Sequence, residues 1–294
     1  MKDRIPFFSI VIPAYNASQS IVFTLESIKN QKEKDYEVII IDDCSEDKDE
    51  LESVVDSFQL SGMNIKLFLS EKKLNGSGAR NKGVELASGK YIALLDADDE
   101  WYDTKLSVMR REIDKNKNED LIYYSKVAIF SEIDPAFRKI MPLRAYEKKN
   151  GSIASYLFGC IGFIQTSTIV LKKELYLQIM FDEKFIRHQD YEFCIRADYL
   201  GYRFKFVDEI LSKYKMSVMS PEKKGETIQY SMNWLNELSF VLTKNDIYTF
   251  KAFKLSKKYN GRKCYFIFLI NFIFCSLQVK KEFIYSLLLK SKLI

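Results

Sequence analysis

Four apolar runs of strand length, at residues 7–12, 37–41, 65–69 and 91–95, punctuate the first hundred residues, and stretches of helical composition separate them. Residues 18–31 place Ile21, Leu25 and Ile28 on one helical face, and residues 50–58 repeat the arrangement with Leu51, Val54, Val55 and Phe58. Strands that alternate with helices fold as a parallel sheet covered on both faces, because a parallel crossover needs a connection of helix length. Such sheets receive ligands outside the carboxyl ends of their strands. Function is therefore expected at the strand ends.

Three of those ends carry unusual chemistry. The first run closes on Pro13, Ala14, Tyr15 and Asn16, the second on "DDCSED" with Asp42 and Asp43, and the fourth on "DADDEW", which packs Asp96, Asp98, Asp99 and Glu100 into five residues. In a parallel sheet all three lie on one edge. Two carboxylates ~5 Å apart at an effective dielectric of ~20 repel by roughly 3 kcal/mol. Folding gains nothing from that cost, so water or a cation is expected to relieve it. Ahead of the fourth run, "NGSGARNKGVELASG" reads as a loop loosened by Gly76 and Gly78, then a helix over residues 79–87. The helix N-terminus with Arg80 suits an anionic phosphate.

Past residue 103 the pattern loosens into helical stretches at 104–116, 152–158, 190–200 and 226–241 and strands at 121–127, 167–171 and 203–207. With 294 residues, 47% of them apolar, the chain has material for a substantial core. The net charge of +5 is unevenly placed: residues 251–294 hold ten Lys or Arg and one acid, so the rest is mildly acidic and no nucleic-acid partner is expected. Within that tail, residues 264–279 are almost uniformly apolar but shorter than the ~20 residues a spanning helix needs. A helix lying on an anionic membrane and a packing or homodimer helix fit this segment equally. The N-terminus lacks a cleavage pattern and the five cysteines lack paired spacing, which points to the cytoplasm, with a peripheral place on the inner face of its membrane if the tail binds lipid. The economical partition is an α/β body over 1–220, with halves at about 1–102 and 103–220, and a C-terminal helical extension over 221–294.

"FSIVIPAYNAS", "YEVIIIDDCSED", "NGSGARNKGVELASGKYIALLDADDEW" and "HQDYEFCIRADYLGY" resemble, in order and spacing, the signature segments of the family 2 glycosyltransferases. The resemblance is dense over residues 7–102, sparser to about 215 and absent from the tail. It implies a GT-A fold, a Rossmann-like, mainly parallel central sheet flanked by helices, and inverting transfer from a nucleotide-diphosphate sugar, UDP being the family's habit.

Carried onto this sequence, the resemblance sets Pro13, Ala14, Tyr15 and Asn16 against the nucleotide, with Gly76, Arg80 and Asn81 also on the donor. Asp42 or Asp43, with Asp43 preferred, bonds the uracil or ribose. Asp96, Ala97 and Asp98 grip ribose and a divalent cation, Mn²⁺ or Mg²⁺, for which Asp98 and then Asp99 are the candidate ligands; hard oxygen donors suit either ion. Asp190 matches the position of the base that deprotonates the acceptor hydroxyl, although Gln189 stands where the family usually has Glu. Taken singly, each has a plainer role: "DDCS" a turn, Asp99 or Asp103 a helix cap, Asp190 an N-cap. His188 is read as a packing neighbour rather than a catalyst, and Arg196 could face donor phosphates or solvent.

The acceptor is expected to be a saccharide on a polyprenyl diphosphate, as in bacterial surface-polysaccharide assembly. Rival readings are weaker. The glycines at 76, 78 and 83 follow the third strand and are spaced unlike a dinucleotide fingerprint. A nucleotidyltransferase lacks its glycine-rich loop here, and a processive synthase lacks a Gln-x-x-Arg-Trp segment, since neither Trp101 nor Trp234 sits in one. A catalytically silent sugar-nucleotide-binding protein is separated by donor hydrolysis. The sugar, the linkage and the oligomeric state are not written in these motifs.

Overall fold

A computed structural model describes residues 5–258 except 132, 133, 135, 160, 161 and 217–224. The apolar segment 264–279, with its membrane or dimer role, lies outside the described residues. The N-terminal half forms β1 (Phe8–Ala14), α1 (Ile21–Lys29), β2 (Tyr36–Asp42), α2 (Lys48–Leu60), β3 (Ile65–Leu69), α3 (Asn75–Leu86) and β4 (Tyr91–Leu94). The rest is β5 (Glu100–Trp101), α4 (Lys105–Lys115), β6 (Leu121–Ser131), β7 (Arg138–Met141), α5 (Ile153–Phe158), β8 (Val170–Lys172), α6 (Lys173–Ile179), α7 (Gln189–Tyr199), β9 (Arg203–Met216), α8 (Ile228–Glu237) and α9 (Lys244–Lys258).

One sheet runs β3-β2-β1-β4-β8-β6-β9-β5, with β7 paired to β6. The four strands of the N-terminal half are mutually parallel. Beyond β4 the sheet turns mixed: β8 is antiparallel to β4 and β6, β5 to β9 and β7 to β6, while β6 and β9 run parallel. The expectation of a mainly parallel sheet holds for the N-terminal half and is corrected for the remainder, where antiparallel pairs outnumber the one parallel pair. Val11, Ile39 and Ile41 face a core shared with α3, α5, α6, α7 and α8. Ile10, Ile12, Val38 and Ile40 face the opposite core, under α1, α2 and α4. This period of two buries every β1 and β2 residue except Pro13 and Tyr36 on one side or the other.

Pro13 belongs to β1 without breaking it. The Val11 carbonyl accepts from Leu95 N on the β4 side, so Pro13, two residues on, turns its missing N–H the same way, beyond the last β1–β4 pair at Val11 and Leu94. The β1 end is thereby open for the turn that follows. Helix α3 begins four residues before the expected start, so Gly76 and Gly78 are helical rather than loop. A Cβ on Gly83 would lie 2.4 Å from Val11 Cγ1, so glycine sets how closely α3 rides on β1. Helices α8 and α9 join the same core as α5 and α7 through Trp234, Leu235, Leu238 and Phe250. Buried Asp246, ahead of that packing, accepts from Ser152 Oγ at 2.7 Å and Ser155 Oγ at 2.5 Å.

Candidate active site

The turns after β1 and β2 are tied to each other before either meets a ligand. Asn16 N donates to Ser45 Oγ at 2.9 Å, Glu46 N donates to Asn16 Oδ1 at 2.9 Å, and Ser18 N donates to Asp47 Oδ2 at 2.8 Å. Asn16 and Cys44 adopt left-handed backbone with φ of 48° and 56°, conformations an asparagine accepts more readily than most residues. Ser45 N donates to Asp42 Oδ2 at 3.1 Å, so buried Asp42 folds the turn from below. Asp43 instead reaches the cavity wall, accepting from Leu74 N and pairing with Lys73 at 3.1 Å. Lys73 Nζ also sits over the ring of half-exposed Tyr15. It escaped the sequence reading because a lysine in a polar loop carries no signal.

The cavity, of about 400 Å³, is lined by residues 13–17 and by Asp43, Gly76, Ala79, Arg80, Asp96, Ala97, Asp98, Ile186, Arg187 and Gln189 among others. It therefore gathers the ends of β1, β2 and β4, the N-terminal turn of α3 and the approach to α7. Asp42, Asn81, Asp99 and Asp190 are not on that lining.

The crowd of acids after β4 is resolved by four separate environments. Asp96 Oδ1 pairs with Arg80 Nη2 at 2.5 Å. Glu100 Oε2 pairs with Lys213 at 2.8 Å, away from the cavity. Asp99 is buried, and its Oδ2 accepts from Ser167 Oγ at 2.5 Å and Gln165 Nε2 at 2.7 Å. Burial pushes the Asp99 carboxyl well above its usual range, Asp96 and Asp98 add to that, and the two hydrogen bonds oppose it. Asp98 alone is both exposed and on the cavity wall. The protein's own Arg80 and Lys213 thus relieve much of the repulsion assigned to a metal from sequence.

Among the described residues no three His, Cys, Asp or Glu side chains converge to hold a metal unaided. The donor set still fits a hard cation that brings phosphate and water oxygens and takes one or two carboxylates, with Asp98 offered to the cavity and Asp96 beside it. Asp99 commits its Oδ2 to Ser167 and Gln165, while its buried Oδ1 accepts no hydrogen bond.

Asn81, off the cavity lining, is buried and bonded at both ends of its amide. Its Oδ1 accepts from Tyr176 OH at 2.9 Å and Phe181 N at 3.0 Å, and its Nδ2 donates to Phe181 O at 2.9 Å and Glu183 Oε1 at 3.0 Å. Both ends of the amide shape the segment leading to α7. Arg196 is partly exposed, and its guanidinium is held by protein groups. It pairs with Glu192 at 2.5 Å, donates to Met180 O at 2.6 Å and also bonds Ile179 O, closing the C-terminus of α6.

At the start of α7, His188 takes left-handed backbone with φ 60°, and its Nε2 meets Ser231 Oγ at 2.9 Å. Its ring packs among Tyr191, Trp234 and Phe250, which is the packing role expected. The turn at His188 presents Gln189 and Asp190 in the first helical turn. Gln189 Oε1 accepts from Arg80 Nη1 at 2.9 Å, so the amide occupies the place beside Arg80. A Cβ on Gly76 would stand 3.0 Å from both of those atoms, which is why that helical position is glycine. Asp190 Oδ1 accepts from Tyr191 N at 2.9 Å. Burial raises the Asp190 carboxyl to about 6, helped by Asp96 and opposed by the Tyr191 N–H and Arg80. A carboxylate so tuned is available as a base near neutrality.

The sequence model of Glycosyl transferase family 2 matches residues 9–178. The amylovoran biosynthesis glycosyltransferase AmsB of Erwinia amylovora is 49% identical over 256 residues, which cover 86% of this chain and 84% of AmsB. WfgD of Escherichia coli, named a UDP-Glc:alpha-D-GlcNAc-diphosphoundecaprenol beta-1,3-glucosyltransferase, is 34% identical over 108 residues, 37% of this chain and 41% of WfgD. Among solved structures, Staphylococcus aureus TarS 1–349 in complex with UDP-GlcNAc has a TM-score of 0.61 at 19% identity, covering 85% of this chain and 72% of that one. At that identity the likeness speaks to the fold, which is GT-A. With more than half its length inside the family match and AmsB alike along nearly all of it, the chain belongs to glycosyl transferase family 2 and is a glycosyltransferase.

Proposed function

We propose that the protein is an inverting, metal-dependent, non-processive enzyme that moves one hexose or N-acetylhexosamine from a UDP-sugar to a saccharide carried on a polyprenyl diphosphate, in bacterial surface-polysaccharide assembly. The observation that carries this reading is the convergence of distant acids: Asp96 and Asp98 close β4, Asp190 opens α7, and Arg80 bridges Asp96 to Gln189 beside the same cavity. The names of AmsB and WfgD support the polysaccharide and lipid-linked parts.

Donor binding falls to the turns. The face of Tyr15, the Asp43 carboxylate and the N-terminal turn of α3, which reaches the cavity at Gly76 and Ala79, suit a base, a ribose and a diphosphate in that order. A divalent ion on Asp98, with Asp96 adjacent, supplies positive charge to the leaving diphosphate when bound. Asp190 takes the proton from the acceptor hydroxyl as that oxygen bonds the anomeric carbon and the bond to the phosphate oxygen breaks, with UDP departing on the opposite face. Arg80 keeps Asp96 oriented and is itself fixed by Gln189.

We place the enzyme in the cytoplasm, peripheral to the membrane. Among the described residues no helix is long and apolar enough to cross one. The test is a panel of nucleotide sugars scored for Mn²⁺-dependent nucleotide release. A catalytically silent binding protein would bind UDP and release nothing. Asp190→Asn should keep UDP affinity while transfer falls by ~10²–10⁴; loss of UDP affinity to the same extent would make Asp190 structural instead.

A further inference from the structure

Strand β9 carries the Tyr214 ring to the edge of the acid cluster, where a second ring meets it. Ser212 and Tyr214 lie two residues apart and so on one face of β9. Ser212 Oγ donates to Ser167 O at 3.0 Å, and Ser167 Oγ donates to Asp99, which fixes that face toward the acids. The register agrees, since Lys213 is opposite Glu100, and Tyr214 therefore passes alongside Asp99. From the other direction comes Phe163, two residues before Gln165, whose amide donates to Asp99 and to Asp96 at 3.3 Å. The Phe163 and Tyr214 ring centroids are 6.4 Å apart at 46°, both rings are partly exposed, and both rest on Val127, Ile129 and Met141. Neither lines the donor cavity.

Resting on the glycosyltransferase reading above, we infer that Phe163 and Tyr214 form the wall on which the acceptor's terminal pyranose ring lies, outside the donor cavity and beside the base Asp190. The chemistry favours that occupant. Ring faces match the C–H face of a pyranose, and nearby carboxylates accept from its hydroxyls. The alternation of short polar and aromatic residues along β9 gave no sequence signal for this wall, because Lys213 and Lys215 interrupt it.

The experiment uses the full chain with Mn²⁺ and the sugar nucleotide that the panel identifies, adding the p-nitrophenyl β-glycosides of glucose, galactose, N-acetylglucosamine and glucuronic acid as acceptors. At least one glycoside should raise UDP release above donor hydrolysis. Tyr214→Ala and Phe163→Ala should each raise the glycoside KM about tenfold or more with kcat within about threefold, while Tyr214→Phe stays near wild type. UDP affinity by calorimetry, unchanged in all three, shows that the fold and the donor side are intact. Equal KM in wild type and both alanine variants overturns the inference, as does a wild type that hydrolyses donor without response to any glycoside. UDP affinity lost in the alanine variants also overturns it, by making the rings part of the fold. A wild type that neither binds nor hydrolyses any nucleotide sugar overturns the parent reading, a result these outcomes keep separate.

Discussion

Arg80 on α3 reaches Asp96 at the end of β4 with Nη2–Oδ1 at 2.5 Å and, through Nη1, Gln189 at the start of α7 at 2.9 Å. One planar guanidinium therefore couples the donor strand to the helix that carries the proposed base. Lysine has the charge but not the fork. Arg80→Lys should keep one of the two contacts and lower kcat/KM by about 10–100-fold, with UDP affinity falling less. Michaelis parameters with calorimetry in parallel check this, and an unchanged kcat/KM would show that the bridge is dispensable.

Because burial and Asp96 raise the Asp190 carboxyl to about 6, its ionised form is lost as pH falls through that value. A base acts only when deprotonated, so kcat/KM should drop about tenfold per pH unit below pH ~6 and level off above it. Gln189→Glu places a second carboxylate beside Asp190 and should move that acid limb upward, the like charge favouring the protonated form. A pH profile of both proteins measures it; identical limbs would assign the titration to another group.

The N-terminal half was legible because β1, β2 and β4 are buried on both faces and so appear as continuous apolar runs. The later part was not. Residues 208–216 extend β9 well past the expected 203–207, but Asp208, Glu209, Lys213 and Lys215 break any apolar period there. The start of α3 was hidden by Gly76 and Gly78, whose intrinsic preference is for loop. Asp96, Asp98 and Asp99 look interchangeable in sequence. Their different fates are set by Arg80, Gln165 and Ser167, which come from elsewhere in the chain and leave no local trace.

At the opposite end of the sheet, buried Glu37 accepts from Ser9 Oγ at 2.6 Å, Ser88 N at 2.6 Å, Ser88 Oγ at 2.7 Å and Lys66 Nζ at 2.8 Å. Burial pushes its carboxyl up, but Lys66, Ser9 and Ser88 together outweigh it and hold the group at about 2. A depressed carboxyl stabilises the fold above its unfolded value and loses that contribution as pH falls from about 4.5 to about 2. Glu37→Gln should cost about 3 kcal/mol at pH 7 and much less at pH 2.5. Urea midpoints at the two pH values test the convergence; a constant difference would mean that packing, not charge, is what the substitution removes.

Lys105 presents the reverse sign. It is completely buried, its Nζ donates to Thr168 O at 3.0 Å and Ser125 Oγ at 3.3 Å, and burial lowers it from 10.5 to about 7. The unfolded chain keeps the proton that the folded chain gives up, so stability should be flat below pH ~7 and rise between about 7 and 10.5. From pH 7 to 9 the gain from this one group is about 2 kcal/mol. Lys105→Met fills the same volume with no charge to desolvate; it forfeits two hydrogen bonds and should be within about 1 kcal/mol of wild type at pH 7. Its stability should then lack the rise toward pH 9. If the variant climbs as steeply as wild type, the slope belongs to other groups and Lys105 stays charged in its pocket.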